Sequence, residues 1–167
     1  MKTMLWLAVL SVFTAAQAPL WAQPEPDVIY GSDDRLDLYQ VKEKKLLELA
    51  DSTVALFESG SVTIDAAKKE AQLATESYGQ GMSLCKEEPF YSQETGAFCS
   101  GSLVAPDVIM TAGHCVKDQY SCERTKFVFG FAIKKEGVLP KVLPASEVYG
   151  CAKLIGRAQE DEGADWA

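Results

Sequence analysis

The chain has 167 residues, 47% of them hydrophobic and 24% charged, with a formal net charge of −8. That length suits one domain, or one domain with a small appendage, and the hydrophobic content argues against disorder. The acidic balance argues against nucleic acid and anionic membrane as partners, because both reward clustered Lys and Arg.

The first element in chain order is a secretory signal peptide over residues 1–22. Lys2 supplies its positive end, and Met4 to Phe13 form an apolar run too short to span a bilayer. Cleavage is expected after Ala22, since Pro19 would follow a cut at Ala18. No later stretch is apolar enough to cross a membrane, so none is expected to hold the exported chain. Residues 23–35 are polar and turn-rich. Residues 34–51, DRLDLYQVKEKKLLELAD, predict a helix capped by Asp34, with Leu38, Val41, Leu46, Leu47 and Leu49 towards one side and the KEKK run as its solvated face. STVALF, 52–57, switches to a strand pattern rich in β-branched residues. DAAKKEAQLATE, 65–76, predicts a second short helix, ended by Gly79 and Gly81, in an insertion packed on the outside. From Phe98 onward the chain reads as β. FCSGSLVA and VIMTAG flank a turn at Pro106-Asp107, and KFVFGFAI and SEVYGCAKLIG are later strands joined by a loop holding Pro140 and Pro144.

Export changes how the five cysteines are read, because thiols outside the cytosol usually form disulfides. Cys85, Cys99, Cys115, Cys122 and Cys151 are odd in number, so at least one lacks a partner within the chain. The only histidine, His114, sits in TAGHC, directly before Cys115. A bridge from Cys99 to Cys115 would close the hairpin and fix the backbone beside the imidazole. Closing a loop of about 15 residues is worth roughly 3 kcal/mol in the chain-entropy model, and a general base gains more from being held within reach of its partner. The residues alone also allow a structural bridge beside an ordinary histidine. No metal and no cofactor are expected: one histidine with oxidised cysteines provides no ligand set of suitable spacing.

The stretch CSGSLVAPDVIMTAGHC resembles the histidine segment of trypsin-like, chymotrypsin-fold serine proteases, including the interval between its cysteines. The resemblance implies a mainly β fold: the first, N-terminal antiparallel barrel of a chymotrypsin-like double barrel, incomplete, with a helical N-terminal extension over 28–51. The peptidase part then spans 52–167, with an insertion at 58–97. It makes His114 the general base and joins Cys99 to Cys115 beside it. ADWA, 164–167, is similar to the family's strand that carries the acid of the triad, which makes Asp165 the carboxylate that orients the imidazole. VIYGSDDR, 28–35, resembles the mature N-termini of bacterial glutamyl endopeptidases, a branch of the same fold. On that reading residues 23–27 are a short propeptide and Val28 is the mature N-terminus. The insertion is longer than those enzymes usually carry.

The family's triad also needs a serine in a Gly-Asp/Asn-Ser-Gly turn, and no such turn occurs in the sequence. Ser100 and Ser102 lie in the CSGSL strand and Ser32 in the N-terminal extension, none in a position for a nucleophile. The expectation is a secreted serine endopeptidase acting on proteins or peptides, truncated before its nucleophile and inactive in this form. Cys85, Cys122 and Cys151 leave three pairings open, one cysteine belonging with the missing half. The chain is expected to be a monomer. The alternative is a secreted, non-catalytic binding module on a degenerate protease scaffold.

Overall fold

A central antiparallel ladder built on the strand expected at 52–57 organises the fold. The computed structural model describes residues 33–167, within which Arg35–Ala167 form a compact unit. The signal segment 1–22, the pro-segment 23–27 and Val28 lie outside the described residues. In chain order the elements are α1 (Lys44–Ala50), β1 (Thr53–Glu58), β2 (Val62–Asp65), β3 (Glu70–Leu73), β4 (Glu76–Ser77), α2 (Tyr78–Gly81), β5 (Glu94–Thr95), β6 (Cys99–Ala105) and β7 (Val108–Thr111). They continue with α3 (Gln119–Glu123), β8 (Thr125–Phe129), β9 (Val142–Pro144), β10 (Val148–Gly150), β11 (Ala158–Gln159) and β12 (Asp165–Trp166).

Five strands form one antiparallel sheet in the order β10-β8-β1-β6-β7. The fold is mainly β with few helices, and this sheet curls into a half-barrel, as a partial chymotrypsin-like barrel requires. Its inner strands are apolar on both faces, and alternation sends successive side chains to opposite sides. Val54 and Leu56 of β1, with Phe127 of β8, pack on one face against Val116 and Cys122. Phe57 and Val128 pack on the other against Leu73, Val62 and Leu143, which belong to the three-stranded sheet β2-β3-β9.

Both disulfides lie on the first of these faces. Cys99–Cys115 spans 6.1 Å between Cα atoms and Cys122–Cys151 spans 5.3 Å. Cys85 is free and exposed, so of the three pairings left open by the sequence the one formed is Cys122–Cys151. Two disulfides fit an extracellular protein. Among the described residues, no helix is long and apolar enough to cross a membrane.

Several elements differ from the sequence reading. The helix expected over 34–51 is confined to Lys44–Ala50, and Asp34 does not cap it. Leu38–Gln40 instead form a single 3-10 turn. Tertiary contacts hold this stretch out of the helix: Tyr39 N–H donates to the Ile133 carbonyl at 3.1 Å, and Gln93 Nε2 donates to Asp37 Oδ1 at 2.5 Å. Leu46 and Leu49 stay exposed, and the KEKK run is solvated as expected.

The helix expected over 65–76 is a hairpin of β2 and β3. Asp65 Oδ1 accepts from the N–H groups of Ala67 and Lys68, both at 3.1 Å, and Lys69 takes a positive φ of 57°. An aspartate bonding the backbone two and three residues on is turn chemistry and competes directly with helix nucleation. Ala71 and Leu73 are buried, so the hairpin contributes to the core instead of lying outside it.

Later strands are shorter than the apolar runs that announced them. β8 stops at Gly130, whose φ of 69° turns the chain back so that Phe131 meets the Phe57 ring edge-on at 5.2 Å. α3 was not foreseen. Asp118 caps it, Ser121 N–H donating to its Oδ1 at 2.7 Å, and this short turn points Cys122 into the core.

Leu73→Ala is expected to cost about 2–5 kcal/mol, the usual range for emptying a packed leucine site. Ile64→Ala, on the exposed side of the same hairpin, is expected to stay within about 0.5 kcal/mol. Urea unfolding of the two variants checks the hairpin assignment. Equal, small losses for both would mean that residues 62–73 do not belong to the core.

Candidate active site

His114 sits in the turn that follows β7. Cys115 N–H donates back to the Ala112 carbonyl at 3.0 Å, which closes this turn, and the disulfide to Cys99 fastens its far side to the start of β6. Thr111 Oγ1 donates to the Ser100 carbonyl at 2.7 Å and ties the same two strands together just before the turn.

Asp165 arrives from the other end of the chain. β12 pairs with β11 in the register Ala158↔Trp166 and Gln159↔Asp165. The residues beyond it extend β7: Thr111 and Ala167 exchange backbone hydrogen bonds of 2.9 and 2.8 Å. That pairing brings the Asp165 side chain beneath the histidine turn. Its Oδ2 lies 2.6 Å from His114 Nδ1, and its Oδ1 accepts the His114 backbone N–H at 2.9 Å. One carboxylate therefore grips both the ring and the main chain of the same residue.

Gly113 makes this approach sterically possible. A Cβ at that position would lie 2.0 Å from the Ala158 carbonyl oxygen and 2.9 Å from that of Trp166. Both obstructions are backbone, which cannot swing aside. The third residue of TAGHC's small run is thus a point where β11 and β12 press against the histidine turn.

The electrostatics follow from these bonds. Hydrogen bonding from the His114 side chain, with the backbone N–H groups of His114 and Gly113, holds the Asp165 carboxyl below its usual pKa, while partial desolvation opposes the shift. An ionised carboxylate can only accept hydrogen bonds, so Nδ1 is the donor in this pair, and in a neutral imidazole the lone pair is then on Nε2. Nε2 has one neighbour within bonding range among the described residues, Cys99 Sγ at 3.9 Å. The imidazole is 56% exposed and Nε2 can receive a reacting group from solvent.

No serine is brought to that nitrogen among the described residues. Ser100 and Ser102 alternate with Cys99 along β6 and so project from the opposite face of the strand. Ser32 and Val28 lie outside the described residues. Cys99, His114 and Cys115 present ligand atoms within 4.8 Å of one another, but the two sulfurs are bonded to each other and no thiolate is left to bind a metal.

Sequence reasoning missed Arg157. Its Nε donates to the Gly113 carbonyl at 2.6 Å, and its Nη2 donates to Gln159 Oε1. A single arginine in GRAQ carries no local signal for such a role, since Gly113 lies 44 residues away.

The trypsin family model matches residues 86–137, a segment that contains His114 and the Cys99–Cys115 pair and ends before Asp165. No curated protein and no solved structure matches the chain. Over the matched segment the chain is similar to the trypsin-like serine proteases, which supports a serine-protease-type function and protein substrates.

Proposed function

We propose that the chain carries the general base and the orienting carboxylate of a secreted serine endopeptidase, with His114 and Asp165 in those roles. The observation that carries this reading is the two-point contact of Asp165 with the ring and the backbone of His114. A carboxylate so placed keeps the imidazole in one tautomer and one orientation, and it stabilises the imidazolium formed when Nε2 takes a proton.

In the proposed reaction Nε2 removes the proton from a serine hydroxyl as that oxygen attacks the scissile carbonyl. The imidazolium then returns the proton to the leaving amine, and a water molecule repeats the sequence to release the acyl group. The Cys99–Cys115 bridge holds the histidine turn rigid through these transfers. The nucleophile belongs to a segment outside these 167 residues, because no Gly-Asp/Asn-Ser-Gly turn occurs in them. The chain by itself is then inactive, since loss of the nucleophile costs on the order of a million-fold in rate. Residues 1–22 would direct export, and removal of 23–27 would free Val28. A preference for glutamate is what the resemblance at 28–35 implies.

Expression of the longer coding sequence, with casein digestion and labelling by a serine-directed phosphonate, tests the reading. A labelled serine and degraded casein are expected. An unlabelled protein that leaves casein intact would sink the enzyme in favour of a binding module. In that longer protein, His114→Ala is expected to lower kcat by about a million-fold and Asp165→Asn by about ten-thousand-fold, as in other triads. Peptides differing only at the residue before the cut then decide the glutamate preference.

A pH prediction follows from Asp165. Its folded pKa lies below the ordinary value of about 3.9, so its contribution to stability is complete above that value and disappears as pH falls through the folded pKa. Thermal unfolding of wild type and Asp165→Asn should therefore differ at neutral pH and converge in strong acid. A difference that persists or grows towards low pH would contradict the assigned contact.

A further inference from the structure

We propose that Arg157 is a positioning residue for the His114–Asp165 pair, acting through the peptide group between Gly113 and His114. The inference rests on the reading of that pair as base and orienting carboxylate. It adds a cationic group that touches neither the reacting atoms nor the carboxylate.

The geometry forms a relay. The Arg157 guanidinium donates to the Gly113 carbonyl at 2.6 Å, and the N–H of the same peptide unit, on His114, donates to Asp165 Oδ1 at 2.9 Å. A cationic donor on the carbonyl draws electron density through the amide and makes the attached N–H more acidic. The bond from that N–H to an anion is strengthened as a result. A charged donor at one end and a charged acceptor at the other polarise the peptide in the same direction.

The relay also fixes position. Arg157 and Gln159 lie two apart on the segment leading into and through β11, on one face, and the outer arm of the guanidinium is held by Gln159 Oε1. Gln159 stands directly across from Asp165 in the β11–β12 ladder. The arginine therefore links the hairpin that carries the carboxylate to the turn that carries the imidazole, beside the point where Gly113 meets the Ala158 carbonyl. Gly113 is buried and Arg157 half-buried, so water competes weakly for the Gly113 oxygen.

The chain has a single histidine, so nitrogen-15 NMR of the oxidised protein reads one imidazole without assignment ambiguity. The measured quantities are the exchange rates of the Nδ1 proton and of the His114 backbone amide. Mass mapping of both disulfides and far-UV circular dichroism report folding. Arg157→Gln is expected to accelerate both exchanges about tenfold, the size of one lost charge-assisted bond, with the disulfides and the spectrum unchanged. Arg157→Lys, which keeps a cationic donor, is expected to restore most of the slow exchange. A lysine variant as fast as the glutamine variant would overturn the relay.

Asp165→Asn separates the two claims. Loss of the slow Nδ1 proton in that variant, together with no change in Arg157→Gln, would overturn the arginine's role and leave the pair intact. A slow Nδ1 proton surviving in Asp165→Asn would overturn the pair itself. If Arg157→Gln does not fold, Gln159→Leu serves in its place, because it frees the outer arm of the guanidinium. A rise of several-fold in both rates is then expected, and unchanged rates would reject the proposal.

Discussion

The contact on which the local structure depends is the double acceptance by Asp165 of His114's ring and backbone N–H groups. Two hydrogen bonds from one residue to the two oxygens of one carboxylate define distance and direction together, which a single bond does not. The contact requires three separate conditions. β12 must lie beside β7, a glycine must stand at position 113, and the histidine turn must not drift. Backbone exchange between Thr111 and Ala167 meets the first, the missing Cβ the second, and the Cys99–Cys115 bridge the third.

These conditions are expensive in chain entropy, because His114 and Asp165 are 51 residues apart. The intervening segment is disciplined by its own fastenings. Cys122 and Cys151 close a loop of 29 residues, and Gln119 donates to the Ala152 carbonyl and accepts the Leu154 N–H, which seats the strandless stretch after β10. Each of these ties shortens the free chain between the two residues and so lowers the entropy lost when β12 approaches the histidine turn. The site is thus built by cross-links between irregular segments as much as by the sheet.

The core divides its labour by face. One side of β1 and β8 packs against Val116, Cys122 and, at its margin, Cys99, Cys115 and Ala167, which is the side that supports the His114 turn. The other side packs on the β2-β3-β9 sheet through Phe57 and Val128. A volume change on that second face has no direct contact with the histidine turn and reaches it only through β1 and β8.

Residue patterns alone identified the β character from Phe98 onward, the β1 strand and the hairpin turn at Pro106-Asp107, because period-two alternation and turn residues are local signals. The Cys99–Cys115 pair was expected from the resemblance of CSGSLVAPDVIMTAGHC, and the structure forms it. The placement of Asp165 came from three matching residues and the order of the chain, with no geometry behind it. The helix expected over 65–76 failed because Asp65 bonds its own backbone and Ala71 and Leu73 find a sheet to pack on, and neither partner is visible in a window of twelve residues. The helix over 34–51 was shortened by hydrogen bonds to Ile133 and Gln93, which are remote in sequence. The Cys122–Cys151 pairing, the steric demand at Gly113 and the reach of Arg157 to its carbonyl were decided by tertiary structure alone. Each depends on the distance between segments 29 or more residues apart, a quantity that periodicity and composition do not encode.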